Sequence, residues 1–121
     1  MRDFKELEIW QIARELNKII YELTKSFPRE EIYGLTSQIR RATVSISSNI
    51  AEGCGRRTNK ELVYFLHNAM GSLKEVESQI FLALDLGYLS NEKVDEVNEE
   101  IDKLGKKLNL FIQYIEALNV K

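Results

Sequence analysis

One histidine, one cysteine and a set of arginines and lysines near position 56 are the side chains in this sequence best suited to metal binding, nucleophilic catalysis or phosphate contact. Helical proteins build di-metal centres from Glu-x-x-His pairs on facing helices. His67 has no second histidine to work with, and the position three residues before it is Tyr64. It also falls off the apolar stripe of its segment, so it reads as a surface histidine. Cys54 sits between Gly53 and Gly55, with Arg56 and Arg57 close enough in sequence to favour its thiolate. Nucleophilic catalysis needs a base beside the nucleophile as well, and none is offered there. A glycine-rich phosphate loop, a Gly-x-Ser-x-Gly elbow and paired-cysteine spacing are all missing. The expectation is a protein with no catalytic residues, no metal, no cofactor and no small-molecule substrate.

The cations are more informative. Arg40, Arg41, Arg56, Arg57 and Lys60 read as a basic group around the second turn of the chain, interrupted by Glu52. The planar fork of arginine matches phosphate oxygens, which makes these five the candidate nucleic-acid contacts. An alternative partner is the acidic run Glu92, Asp95, Glu96, Glu99, Glu100 and Asp102 of a second copy. Residues 1–60 hold 11 Lys/Arg against 8 Asp/Glu, and residues 61–121 hold 6 against 11. Such asymmetry serves either a nucleic-acid-facing end or complementary patches between protomers. A second polar set borders the apolar stripes. Gln38, Arg41, Ser45, Asn49, Glu52 and Arg56 recur three or four residues apart, while Asn17 and Glu77 fall inside stripes of their own segments. Polar groups at a core boundary must find partners or cost stability. Asn17, Gln38, Asn49, Glu52 and Glu77 are therefore expected to form a polar layer that fixes helix register or is completed by another subunit. Counting outward from the turns puts Asn17, Gln38 and the Glu75–Glu77 turn at one height.

Four segments position these residues. Trp10, Ala13, Leu16, Asn17, Ile20, Leu23, Thr24 and Phe27 recur at helical spacing, predicting a first helix from Phe4 to Lys25 that stops before Pro28. Arg29, Glu30 and Glu31 open a second helix, with Leu35, Ile39, Ala42, Ile46, Ile50 and Gly53 on one face and Gly-Cys-Gly at 53–55, residues that accept left-handed geometry, as its stop. Thr58 and Glu61 form a capping box for a third, striped by Leu62, Phe65, Leu66, Ala69, Leu73, Val76, Ile80 and Leu84 and ended by Gly87. Ser90 caps a fourth, whose Val94, Val97, Ile101, Leu104, Leu108, Phe111 and Ile115 run almost to the end. Similar lengths and short connections predict an all-α, up-down antiparallel four-helix bundle, a single domain over residues 1–121. Charges interrupt every window long enough to span a membrane. The lone cysteine and the lack of a secretory leader predict a cytoplasmic protein.

Several stretches together resemble a known family: Phe4-Lys5-Glu6-Leu7-Glu8-Ile9-Trp10-Gln11, Tyr33-Gly34-Leu35-Thr36-Ser37-Gln38-Ile39-Arg40-Arg41-Ala42, Ser48-Asn49-Ile50-Ala51-Glu52-Gly53 and Gly71-Ser72-Leu73-Lys74-Glu75-Val76-Glu77. In this order they resemble the bacterial four-helix-bundle proteins encoded in intervening sequences of 23S ribosomal RNA genes, over about residues 4 to 115. The resemblance implies a small cytoplasmic bundle that assembles into a homo-oligomeric ring, a pentamer; the leading expectation for its role is a non-enzymatic, RNA-associated module, and the alternative is a scaffold that joins protomers without nucleic acid. A similar bundle is the accessory protein of diversity-generating retroelements, a pentameric barrel that binds nucleic acid and reverse transcriptase.

Overall fold

The structure, a computed structural model, describes residues 2–118. Four α-helices carry the chain: α1 (Glu8–Thr24), α2 (Leu35–Cys54), α3 (Asn59–Asp85) and α4 (Asn91–Leu118). Single 3-10 turns at Phe4–Glu6 and Arg29–Glu31 precede α1 and α2, and among the described residues there is no strand. Each helix packs on its two neighbours around the ring, most extensively between α2 and α3 and least between α1 and α4. The expected up-down four-helix bundle is the observed fold. Its core is built from aliphatic stripes on every helix, with Leu16, Ile20, Ile46, Leu66, Leu73, Leu104 and Leu108 among the side chains fully withdrawn from water. At about 1.5–3 kcal/mol for each large aliphatic group buried, this core is the main stabilising contribution. Among the described residues no helix is long and apolar enough to cross a membrane.

Helix ends follow local chemistry, with some departures from expectation. Thr58 accepts from the Glu61 amide at 3.1 Å, and its hydroxyl donates to the Glu61 carboxylate at 3.0 Å, so that carboxylate meets the cap hydroxyl instead of a backbone amide. Ser90 accepts from the Lys93 amide. Past α3, Gly87 takes φ +79°, while the Gly87 amide donates to Leu84 and the Tyr88 amide to Ala83, the paired bonds of a Schellman stop. The first helix begins later than expected: Leu7 is extended at φ −81°, ψ 129°, and separates the Phe4–Glu6 turn from α1. The second begins at Leu35, because Gly34 at φ −114°, ψ −117° breaks the backbone after Glu31. Glu31 then supplies the missing cap, its Oε1 accepting from the Leu35 amide at 3.1 Å. The Gly-Cys-Gly stretch does not act as a left-handed stop. Gly53 lies inside α2, and Gly55 stays right-handed at φ −84°.

The expected polar layer does not form at one height. Residues 25–34 separate α1 from α2, where a short turn at Pro28 had been expected. The longer connection shifts the register by about two and a half turns, so Asn17 meets Ser47, donating through Nδ2 at 3.2 Å, and not Gln38. Gln38 is exposed. Asn49 donates to the Ser45 carbonyl and hydroxyl, and the Ser45 and Ser72 hydroxyls lie 2.9 Å apart across the α2–α3 seam. Glu52 is exposed and pairs with Arg56. Glu77 is partly shielded and pairs with Lys74 on its own helix at 3.4 Å. An amide–hydroxyl contact across the α1–α2 seam and a hydroxyl–hydroxyl contact across the α2–α3 seam thus replace a single layer. Gln79, 6% exposed, is a further polar side chain in the α3 interior.

Candidate nucleic-acid interface

Because α2 runs unbroken from Leu35 to Cys54 and the chain reverses only after it, the five expected cations cannot share one place. About 20 Å of helix separates Arg41 from the end of α2. Arg40 and Arg41 therefore lie towards the end of the bundle where α1 stops, whereas Arg56, Arg57 and Lys60 lie at the other end, around the turn into α3. Arg40 is already occupied. Its Nε donates to the Thr24 hydroxyl at 2.8 Å, a terminal nitrogen donates to the Tyr21 carbonyl at 3.3 Å, and the guanidinium lies 4.6 Å from the centre of the Tyr21 ring. A cation closing the carbonyl end of a helix is a stabilising cap, so Arg40 serves α1. Arg41 is exposed beside Ile32, Ser37, Val44 and Ser48, which line a shallow groove.

Three of the five cations, Arg56, Arg57 and Lys60, lie together at the turn end. Gly53 lets α3 approach α2 closely: a Cβ there would lie 2.9 Å from Leu62 Cδ1 and 3.0 Å from Phe65 Cβ. That close approach brings Phe65 under the Arg56 guanidinium, 4.7 Å from its ring centre, while Arg56 also pairs with Glu52. The Tyr64 ring meets Phe65 at 5.2 Å and 87°, edge to face, and remains 62% exposed. Lys60 lies one helical turn before Tyr64. Arg57 and Lys60 are exposed, and among the described residues neither takes part in an ion pair. Arg2 joins this end as well, its amide donating to the Cys54 carbonyl at 3.2 Å and its guanidinium 5.8 Å from the Phe111 ring centre. The sequence reading missed Arg2 and Tyr64. Tyr64 was detectable as an aromatic four residues after Lys60, whereas Arg2 is placed only by tertiary structure.

The other chemically interesting groups have ordinary surroundings. Cys54 is 2% exposed, and burial pushes its thiol above the usual value; Arg2, not Arg56 or Arg57, is the side chain that opposes this shift. His67 is exposed on α3. Among the described residues no group of three or more His, Cys, Asp or Glu side chains could hold a metal ion. The acidic start of α4, with Glu92, Asp95, Glu96 and Glu99, lies at the end of the bundle opposite Arg57 and Lys60.

A family model for the 23S rRNA-intervening sequence protein matches residues 5–110. No curated protein matches the chain. A solved structure from Bacteroides thetaiotaomicron VPI-5482, described as a protein with unknown function from the S23 ribosomal protein family, superposes with a TM-score of 0.80. The two are 23% identical over 87% of this chain and 95% of the other. That likeness shows a shared fold.

Proposed function

The chain belongs to the 23S rRNA-intervening sequence protein family, and we propose that it is a non-enzymatic, self-associating bundle that holds RNA at the turn between α2 and α3. The observation that carries this reading is the exposure of Arg57 and Lys60, which form no ion pair among the described residues, at the end of the bundle opposite the acidic start of α4. Cations left unneutralised within the fold are available to displace counterions from a phosphate backbone. Arg56 and Arg2 flank them, and Arg41 is a more distant contact. Self-association is supported by exposed apolar side chains, with Tyr33 at 95% and Leu82, Leu86, Leu110 and Tyr114 also outside the core. Gly71 adds to this. It sits within α3, where a Cβ would meet nothing inside the chain, so its cost to the helix has no internal reason. The family resemblance suggests a ring of five copies. A cytoplasmic setting suits a protein whose single thiol is unpaired.

Arg57→Glu combined with Lys60→Glu is expected to weaken binding of a labelled structured RNA at least roughly tenfold. The salt dependence should fall by about two phosphates, with circular dichroism unchanged. Equal affinity of the two proteins would remove the assignment. A second reading, a scaffold that binds no nucleic acid, is favoured by the opposite-end placement of the charges. Basic and acidic ends of successive copies would then meet in heterologous contacts that close into a ring or extend into a stack. On that reading the same double reversal lowers the native mass, and the unmodified protein shows no RNA affinity.

A further inference from the structure

We infer that the RNA held at this turn is unpaired, and that Tyr64 is the platform on which one of its bases stacks; this rests on the RNA reading above. Tyr64 is the observation that a phosphate-only site leaves unexplained. Tyr64 lies two residues from both Leu62 and Leu66, on the face of α3 turned away from the core, where its ring is 62% exposed and braced by the edge-to-face contact with Phe65 at 87°. Phe65 is itself fixed, covered by Arg56 on one side and seated against Gly53 on α2. Guanidinium, Phe65 ring and perpendicular Tyr64 ring form a contiguous row, with Tyr64 the more exposed of the two rings. Side chains on a helix lean towards its N-terminus, so the Tyr64 ring covers surface on the side of Lys60 and Arg57. A base laid on Tyr64 therefore has its own phosphates beside the two unpaired cations.

Duplex RNA does not suit this arrangement. Its bases are already stacked, and its deep groove gives side chains no access to them, so proteins grip it through phosphates and hydroxyls spread over many base pairs. The two cations beside Tyr64 occupy a single turn, with Glu52 and Glu61 close in sequence. One aromatic face beside a compact basic turn is the chemistry that captures single strands, in which stacking adds to backbone attraction without reading the base.

The test compares a short labelled oligo(U) with an RNA duplex of equal length, bound by the full chain and by Tyr64→Leu and Tyr64→Trp. The expected result is tighter binding of the single strand, a loss of roughly tenfold in Tyr64→Leu with an unchanged salt slope, and recovery in Tyr64→Trp with quenching of the new indole. If both RNAs bind alike and Tyr64→Leu matches the unmodified protein, the stacking inference is overturned, while sensitivity to Arg57→Glu with Lys60→Glu would keep the RNA reading. If neither RNA binds the unmodified protein, both are overturned.

Discussion

Glu31 joins three parts of the chain at once. Its Oε1 caps α2 at the Leu35 amide, and its Oε2 accepts from the Tyr88 hydroxyl at 2.7 Å, tying the turn after α3 to the connection before α2. The Tyr88 hydrogen bond, and after it the Leu35 amide, holds the Glu31 carboxyl below its ordinary value of 4.5. The same hydrogen bond, then burial, pushes the Tyr88 hydroxyl above its ordinary value of 10.0. A lowered carboxylate contributes stability that is present above 4.5 and lost as pH falls through the folded value; a raised phenol contributes stability that is present below 10.0 and lost as pH rises through its folded value. The link is therefore intact across the neutral range and fails at both extremes. Tyr88→Phe is expected to lower the melting temperature at neutral pH, with the difference from the unmodified protein shrinking as pH falls below 4.5. A difference that persists undiminished in acid would show that the hydroxyl acts on something other than the Glu31 anion.

At the scale of elements, features set by neighbours in sequence were legible, and features set by neighbours in space were not. Thr58 with Glu61, Gly87 and Ser90 end or begin helices through partners within five residues, so type and spacing sufficed. The extended Leu7 and the break at Gly34 were missed, because both precede the periodic stripes, which begin at Trp10 and Leu35 and so do not fix where the helices start. That second miss misplaced the polar residues: once residues 25–34 leave the helices, Asn17 shifts from Gln38 to Ser47. The sequence likewise grouped Arg40 with the phosphate contacts, although Arg40 caps α1. Two glycines show the same limit. Gly53 read as a stop and is a point of close approach, whereas Gly71 is an open position on α3. Gly53→Ala should force α2 and α3 apart and cost about 1–3 kcal/mol. Gly71→Ala should stabilise the chain by roughly 0.5–1 kcal/mol in denaturant unfolding, through a less flexible unfolded state and better helix propensity. If Gly71 instead lies where another copy packs closely, the alanine would lower the native mass and forfeit that gain.

For the whole molecule, the distribution of charge separates two ways of associating. Arg57 and Lys60 mark one end of the bundle and Glu92, Asp95, Glu96 and Glu99 the other, while apolar groups such as Tyr33, Leu82 and Leu110 are exposed as well. Contacts between oppositely charged ends weaken as salt is added, since exposed charges are screened beyond about 3 Å at ~1 M ionic strength. Contacts between apolar faces persist, because burial of apolar surface does not depend on ionic screening. RNA binding falls steeply with salt in either case, as phosphate contacts release counterions. On the proposed reading, native mass recorded with increasing salt is expected to stay constant while RNA affinity drops by orders of magnitude, which assigns assembly to apolar faces and leaves the basic turn to RNA. Dissociation of the assembly by salt would instead mean that Arg57 and Lys60 face the acidic end of a neighbouring copy, and that the cations read as phosphate contacts are subunit contacts.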